Sequence, residues 1–173
     1  MGNNRRQHGS EVNIRTSFVP PARVAWGIAA SPVGKVAVGL TEKGEVCRLA
    51  FLCNRQASEV LAAWRAAWPR TEFFKGADVT NYPTAPILLI GTAFQHAVWR
   101  TMTKIPGGKT LSYGDLARRI GNPRAARAVG TACGANPVPL LVPCHRIVAA
   151  NGLGGFSSGL KIKKALLKRE GGL

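Results

Sequence analysis

The residues most able to do chemistry are Cys144, His145 and Arg146, which follow one another directly. A thiol reacts as its thiolate, and a free cysteine titrates near ~8.5, so a reactive cysteine needs a base or a positive charge beside it. The imidazole and the guanidinium can supply both. Consecutive side chains on an extended segment point to opposite sides, which predicts that His145 reaches the Cys144 sulfur through a water. A third group is then needed to orient His145.

The reactive residues belong to a series of motifs that covers the second half of the chain. A short apolar run bounded by prolines precedes Cys144. The motifs, in order, read GTAFQHAVW (91–99), IPGGKTLSYGDLA (105–117), IGNPRAARAVG (120–130), NPVPLLVPCHRIV (136–148) and LLKREG (166–171). This order resembles the methylated-DNA–protein-cysteine methyltransferases, also called alkylguanine-DNA alkyltransferases. A lone Cys-His pair is a weak signal, whereas the ordered series is specific.

The resemblance implies a DNA repair function centred on Cys144. In this family an alkyl group moves from O6 of guanine in DNA to the matching cysteine, irreversibly, once per molecule and without a cofactor. Glu170 matches the glutamate that orients the histidine, although its position alone would make it a solvated terminal acid. Asn136 resembles the hinge asparagine that braces the turn before the cysteine. O4-methylthymine in DNA is a second candidate substrate.

The resemblance also assigns residues to the DNA. Tyr113 matches the tyrosine that turns the nucleotide out and hydrogen-bonds the guanine; the alternative is a first-turn tyrosine that packs on its own helix. Arg127 matches the arginine that fills the space left by the rotated nucleotide. A plain phosphate contact is the competing interpretation for Arg127 and for Arg124. The remaining residues expected at the base or the DNA are Ala126, Ile147, Phe156 and Ser157. Phe156 stands where the family usually has tyrosine.

Two short helices joined by a glycine-containing turn form the predicted DNA-binding motif. A Ser-x-x-acid pattern at Ser112 predicts one helix that runs to about Ile120, and Pro123 predicts a second helix over residues 123–133. The second helix presents alanines, Ala126 among them, where a sequence reader would carry Asn, Gln or Arg. We therefore predict a helix-turn-helix that binds double-stranded DNA with little sequence preference, in the minor groove.

Charge and cysteine usage agree with an intracellular DNA-binding protein. The net charge is +16, and residues 100–173 hold thirteen lysines and arginines against two acids, a balance that favours a polyanionic partner. The four cysteines form no C-x-x-C pair and no histidine lies at metal-ligand spacing, so neither a metal site nor a disulfide framework is expected. No apolar run of about 18 residues and no secretory signal is present, so we expect a cytoplasmic, nucleoid-associated monomer with no membrane contact.

The positions of turns and periodic segments predict a mixed α/β (α+β) fold. Residues 1–22 are expected to be a flexible basic tail. Residues 23–86 are expected to form a small domain with an antiparallel sheet of three strands and a helix whose Val60, Trp64 and Trp68 face the core. Residues 87–173 are expected to form the DNA-binding and methyltransferase domain. The resemblance implies that the first domain is ribonuclease H-like and the second winged-helix-like.

Two functions of other classes are compatible with parts of this sequence. A non-catalytic protein that marks alkylated DNA would use the same scaffold, but such proteins resemble this one with the cysteine replaced, and Cys144 is present. A helix-turn-helix transcription regulator would need base-reading side chains on its second helix and a dimerisation segment, and the sequence offers neither. The motifs therefore favour a protein that accepts the alkyl group itself.

Overall fold

A six-stranded sheet forms the N-terminal half of the chain in a computed structural model, which describes residues 13–53 and 55–173. Three consecutive strands, β2 (Arg23–Ser31), β3 (Gly34–Leu40) and β4 (Val46–Phe51), pair antiparallel at its centre. The predicted meander is confirmed. Gly34 and Gly44 have positive φ angles in the two turns, where glycine adopts the backbone conformation without strain.

Short parallel strands extend the meander on both sides. Strand β1 (Ile14–Ser17) pairs with β6 (Ile87–Ile90), and β5 (Glu72–Lys75) pairs with β2, giving the order β1-β6-β4-β3-β2-β5. The prediction of a flexible tail over residues 1–22 is therefore wrong for Ile14–Ser17, because these residues hydrogen-bond to a buried apolar strand. The first twelve residues of that predicted tail lie outside the described residues.

Helix α1 (Ala57–Ala67) covers one face of the sheet. Gln56 and Glu59 form a reciprocal capping box at its first turn, which satisfies backbone N–H groups that have no partner within the helix. Val60, Trp64 and Trp68 are buried, as the i, i+4, i+8 spacing predicts. They pack with apolar residues of β2, β5 and β6 into a core of their own.

The C-terminal half contains four helices and a small parallel sheet. The helices are α2 (Ala93–Met102), α3 (Tyr113–Arg119), α4 (Ala126–Gly134) and α5 (Leu160–Arg169), and the sheet pairs β7 (Leu111–Ser112) with β8 (Ile147–Val148). The Ser112 hydroxyl accepts a hydrogen bond from the Asp115 N–H, so the predicted cap of α3 is confirmed. Helices α3 and α4 pack together as the predicted pair.

Helix α4 begins at Ala126, three residues later than the sequence predicts. The segment before it is a turn, in which the Ala125 N–H donates to the carbonyl of Asn122. The proline pattern predicted a helical start that this turn replaces. Arg124 therefore precedes the helix, and Arg127 is its second residue.

The main hydrophobic core continues across the boundary predicted near residue 86. Val38 and Phe51 of the sheet share one cluster with Trp99, Leu116 and other residues of the C-terminal helices. The Leu49 N–H donates to the carbonyl of Pro137 at 2.8 Å, which ties β4 to the segment that precedes Cys144. The sheet therefore braces the reactive segment directly.

Candidate active site

Cys144 lies at the start of a short 3-10 helix, Cys144–Arg146, that follows Pro143. The segment is not extended, so the expected alternation of side chains does not apply to it. The thiol is 4% exposed and borders a cavity of about 170 Å³. The other residues that line this cavity are Tyr113, Gly130, Cys133, Gly134, Gly155, Phe156 and Ser157. The cavity is thus walled by α3, α4 and the loop of residues 153–159.

Glu170 joins His145 and Arg146 in one charged cluster. Its Oε1 lies 2.9 Å from His145 Nε2, while Arg146 donates from Nε at 2.9 Å and from Nη2 at 2.8 Å to the two carboxylate oxygens. Burial disfavours the charged carboxylate, but the hydrogen bonds from Arg146 and His145 outweigh that effect and lower the pKa of Glu170 to about 2. Glu170 is therefore an acceptor only at neutral pH.

The histidine is held as a neutral base with one free nitrogen. Burial lowers the pKa of His145, with the Glu170 carboxylate opposing the shift. Because Glu170 can only accept, Nε2 must carry the ring hydrogen, and Nδ1 is left with its lone pair. Nδ1 is buried and has no hydrogen-bond partner among the described residues. The arrangement can therefore accept a proton at Nδ1.

The Cys144 thiol is protonated at rest. Burial raises its pKa to about 11, against the smaller lowering effects of an Asn136 hydrogen bond and the positive charge of Lys163. Asn136 also closes the turn before the cysteine, because its Nδ2 donates to the Val142 carbonyl at 2.8 Å and its Oδ1 accepts from the Val138 N–H at 3.1 Å. The same side chain thus lowers the pKa of the thiol and shapes the segment that carries it.

Lys163 is a site residue that the sequence analysis missed. Its side chain is fully buried, and Nζ donates to the carbonyls of Ile147 at 2.6 Å, Leu153 at 2.5 Å and Gly155 at 3.0 Å. The lysine therefore ties the cavity loop to β8. Lys163 lies three and four residues before the buried Leu166 and Leu167, and this helical spacing indicates that it shares their buried face.

Tyr113 reaches across the cavity to the same loop. Its hydroxyl donates to the Gly155 carbonyl at 3.4 Å, and burial raises its pKa. Gly154 has φ +67°, and a Cβ there would lie 3.0 Å from the Tyr113 ring. A glycine at this position therefore allows the loop to approach the tyrosine.

The structure separates the other predicted residues into two groups. Phe156 and Ser157 line the cavity, but Ile147 does not: it is fully buried, its carbonyl accepts from Lys163, and its N–H donates to the Cys144 carbonyl. Cys133, to which the sequence analysis gave no role at the site, lines the cavity together with Cys144.

The first turn of α4 offers a small, positively charged surface. Arg124 and Arg127 are exposed and form no ion pair within the described part of the chain, while Ala126 between them is half-buried. Gly130, one turn further along, lines the cavity. A polyanion bound to this turn would therefore lie close to the cavity that contains Cys144.

Neither a metal site nor a membrane span is found in the described residues. Within residues 13–53 and 55–173, no three His, Cys, Asp or Glu side chains are grouped so that they could hold a metal ion. None of the helices described has the length and apolar character of a membrane span.

Known proteins resemble the chain along most of its length. The family model for the DNA-binding domain of 6-O-methylguanine DNA methyltransferase matches residues 93–172. A methylated-DNA–protein-cysteine methyltransferase of Methanosarcina mazei is 54% identical over 157 residues, covering 84% of this chain and 96% of the relative. One of Methanosarcina acetivorans is 38% identical over 154 residues, covering 84% and 97%. The solved structure of Mycobacterium tuberculosis OGT in complex with DNA is 32% identical, with a TM-score of 0.67, and covers 85% of this chain and 93% of that one.

Proposed function

The chain belongs to the family of methylated-DNA–protein-cysteine methyltransferases, and we propose that Cys144 is the residue that accepts the alkyl group. The protein is a DNA repair methyltransferase that acts by alkyl transfer, and DNA is its partner. One observation carries the assignment of the acceptor. Cys144 borders a cavity, and the residue beside it is a neutral histidine whose Nε2 is fixed by Glu170 and whose Nδ1 has no partner among the described residues.

The transfer begins with removal of the thiol proton. His145 Nδ1 takes the proton from Cys144 through a bridging water, and Glu170 stabilises the imidazolium that forms. The thiolate attacks the alkyl carbon, so that the S–C bond forms as the bond between that carbon and O6 of guanine breaks. The electron pair goes to the guanine ring, and the Tyr113 hydroxyl donates a hydrogen bond as charge develops there. The thioether has no hydrolytic exit, so each molecule acts once.

The damaged nucleotide reaches Cys144 by rotation out of the duplex. An alkylated guanine pairs weakly, which lowers the cost of extruding it. Arg127, in the first turn of α4, occupies the gap, Ala126 allows the helix to approach the DNA closely, and Arg124 binds a backbone phosphate. Phe156 and Ser157 form the wall that receives the base. For Ile147 the support is weaker, since both of its backbone groups already have partners.

The finer features of the protein are proposed on the same basis. The substrate is double-stranded DNA that contains O6-alkylguanine, and O4-methylthymine is a secondary candidate. We assign residues 23–86 to a ribonuclease H-like domain and residues 87–173 to a winged-helix-like domain, although one core spans both. The protein acts as a monomer in the cytoplasm, associated with the nucleoid when bound to DNA.

A labelling experiment tests the acceptor directly. The protein is incubated with excess duplex DNA that carries one radiolabelled methyl group on guanine O6, and the label is mapped by mass spectrometry of peptides. We expect one methyl group per molecule, on Cys144, and none in Cys144→Ala. Cys133→Ala is the matched control, because Cys133 lines the same cavity and is expected to leave the transfer intact. DNA binding without label on the protein would refute transfer and favour the damage-marking alternative.

A further inference from the structure

A second cavity lies behind the loop that walls the active site. Its volume is about 170 Å³, several times the ~30 Å³ that a water occupies in the liquid. It is bordered by β4, the segment before α1, Trp64 of α1, the turn before Cys144 and the cavity loop. Its polar lining consists of Arg48, Arg55, Asn136, Ser157 and Ser158. Ser157 lines this cavity and the active-site cavity alike, so the loop separates the two.

Arg48, a half-buried residue, brings a positive charge to this second cavity without a counterion among the described residues. Its guanidinium lies 4.0 Å from the ring centre of Trp68 and 6.0 Å from that of Trp64, so the two indoles cover it. Its Nε is buried and has no hydrogen-bond partner among the described residues, and no carboxylate there forms an ion pair with it. Burial lowers the pKa of Arg48 only to about 10, so the group is charged at neutral pH. A buried hydrogen-bond donor of a charged group ordinarily has a partner.

The rest of the lining supplies further donors and no acid. Arg55 is exposed and uses Nη2 to bind the Phe51 carbonyl at 2.9 Å, which leaves its other guanidinium hydrogens available. Two serine hydroxyls face the same space, and neither aspartate nor glutamate lines it. Planar guanidinium groups together with hydroxyl donors match the oxygens of a phosphate.

We propose that this second cavity binds a phosphate-class oxyanion, supplied either by the DNA backbone or as a free ion. The bound oxyanion connects Arg48 of β4 and Arg55 to the hydroxyls of Ser157 and Ser158. It therefore fixes the loop whose other side receives the base. Binding of the oxyanion does not require alkyl transfer.

Thermal unfolding of the full chain tests the site. Inorganic phosphate is titrated at constant ionic strength against sodium chloride, with Arg48→Met, Arg55→Met and the control Arg70→Met, an exposed arginine outside this cavity. We expect a saturable rise in Tm with phosphate for the wild type and for Arg70→Met, and an affinity at least about tenfold weaker in the other two variants. Arg55 is exposed, so Arg55→Met tests the site even where Arg48→Met unfolds. The absence of a phosphate-specific rise, or equal rises in all four proteins, would overturn the proposal.

The source of the oxyanion follows from the salt dependence of DNA binding. Affinity for an undamaged duplex is measured by fluorescence anisotropy over a range of salt concentrations. Each lost phosphate contact reduces the slope of log K against log[salt] by about 0.9. A reduced slope in Arg48→Met and Arg55→Met, but not in Arg70→Met, assigns the site to a DNA phosphate. An unchanged slope together with the phosphate-dependent rise in Tm assigns it to a free ion.

Discussion

Replacement of Glu170 by glutamine tests the charged cluster behind the reactive residues. The carboxylate accepts hydrogen bonds from His145 and from two nitrogens of Arg146. Its pKa falls from 4.5 to about 2, and at about 1.36 kcal/mol per pKa unit this corresponds to at most about 3.4 kcal/mol of folding free energy. A fifth of the side chain is exposed, so solvent screening reduces the expected loss in Glu170→Gln to about 2 kcal/mol.

The loss of stability should depend on pH with a defined sign. A carboxyl whose pKa is depressed in the folded state contributes stability that is complete above its unfolded pKa and is lost as the pH falls through the folded value. The difference between wild type and Glu170→Gln in urea unfolding should thus be full at pH 7 and should shrink between about pH 4.5 and pH 2. The control is Glu72→Gln, which removes an exposed pair with Arg23 and should cost less than about 0.5 kcal/mol. A Glu170→Gln variant as stable as the wild type at pH 7 would refute the reasoning.

The same substitution should also slow methyl transfer. The glutamine amide can present an N–H to His145 Nε2, which would place the ring hydrogen on Nδ1 and remove the base. Loss of tautomer control in a comparable histidine base costs about 10⁴-fold, and we expect a fall of 10² to 10⁴-fold in the single-turnover rate constant. A rate equal to that of the wild type would show that Glu170 does not set the tautomer.

Three further outcomes are expected. Lys163→Met removes the fully buried donor to the carbonyls of Ile147, Leu153 and Gly155. It should lower the free energy of unfolding in urea by roughly 2–4 kcal/mol, whereas Lys161→Met, on the exposed side of α5, should have little effect. Gly154→Ala combines a positive φ with a Cβ 3.0 Å from the Tyr113 ring and should lower the free energy of unfolding by about 1–2 kcal/mol. Its control is Gly155→Ala, whose Cβ would have no neighbour within 4 Å. Because burial lowers the pKa of His145, the single-turnover rate constant should stay level from pH 8 to pH 6.5 and fall only below that; a fall that begins near pH 7.5 would contradict a lowered pKa.

The sequence predicted the strands and helices whose formation depends on residues close to one another in the chain. The meander follows from turns between short apolar strands, α1 follows from its apolar period, and α3 follows from its capping residue. The strands at the sheet edges could not be predicted in this way. Three of the four residues of Ile14–Ser17 are polar, and the segment becomes a strand because Ile87–Ile90, far along the chain, offers it a partner.

The site shows the same division between local and distant causes. The motif series placed Cys144, His145 and Glu170 in one site, and the geometry brings them together. Lys163 was missed because a lysine among other lysines suggests solvent, and only the carbonyls of Ile147, Leu153 and Gly155 make its burial favourable. The late start of α4 depends on a turn at Asn122, which a capping pattern cannot distinguish from a first helical turn.

The protonated thiol of Cys144 and the oriented imidazole of His145 together explain how a protein that accepts one alkyl group can avoid reacting with electrophiles other than alkylated DNA. With a pKa of about 11, roughly one Cys144 in 10⁴ is ionised at pH 7. In the proposed mechanism the proton leaves towards His145 Nδ1, which is unprotonated because Glu170 holds the ring hydrogen on Nε2. An electrophile must also enter a cavity walled by Tyr113 and the 153–159 loop to reach the sulfur. In the proposed mechanism a rotated nucleotide meets this condition through its contacts with the DNA-binding helices, whereas a small alkylating agent in solution has no such contacts. We therefore propose that burial of Cys144 contributes to the selectivity for DNA.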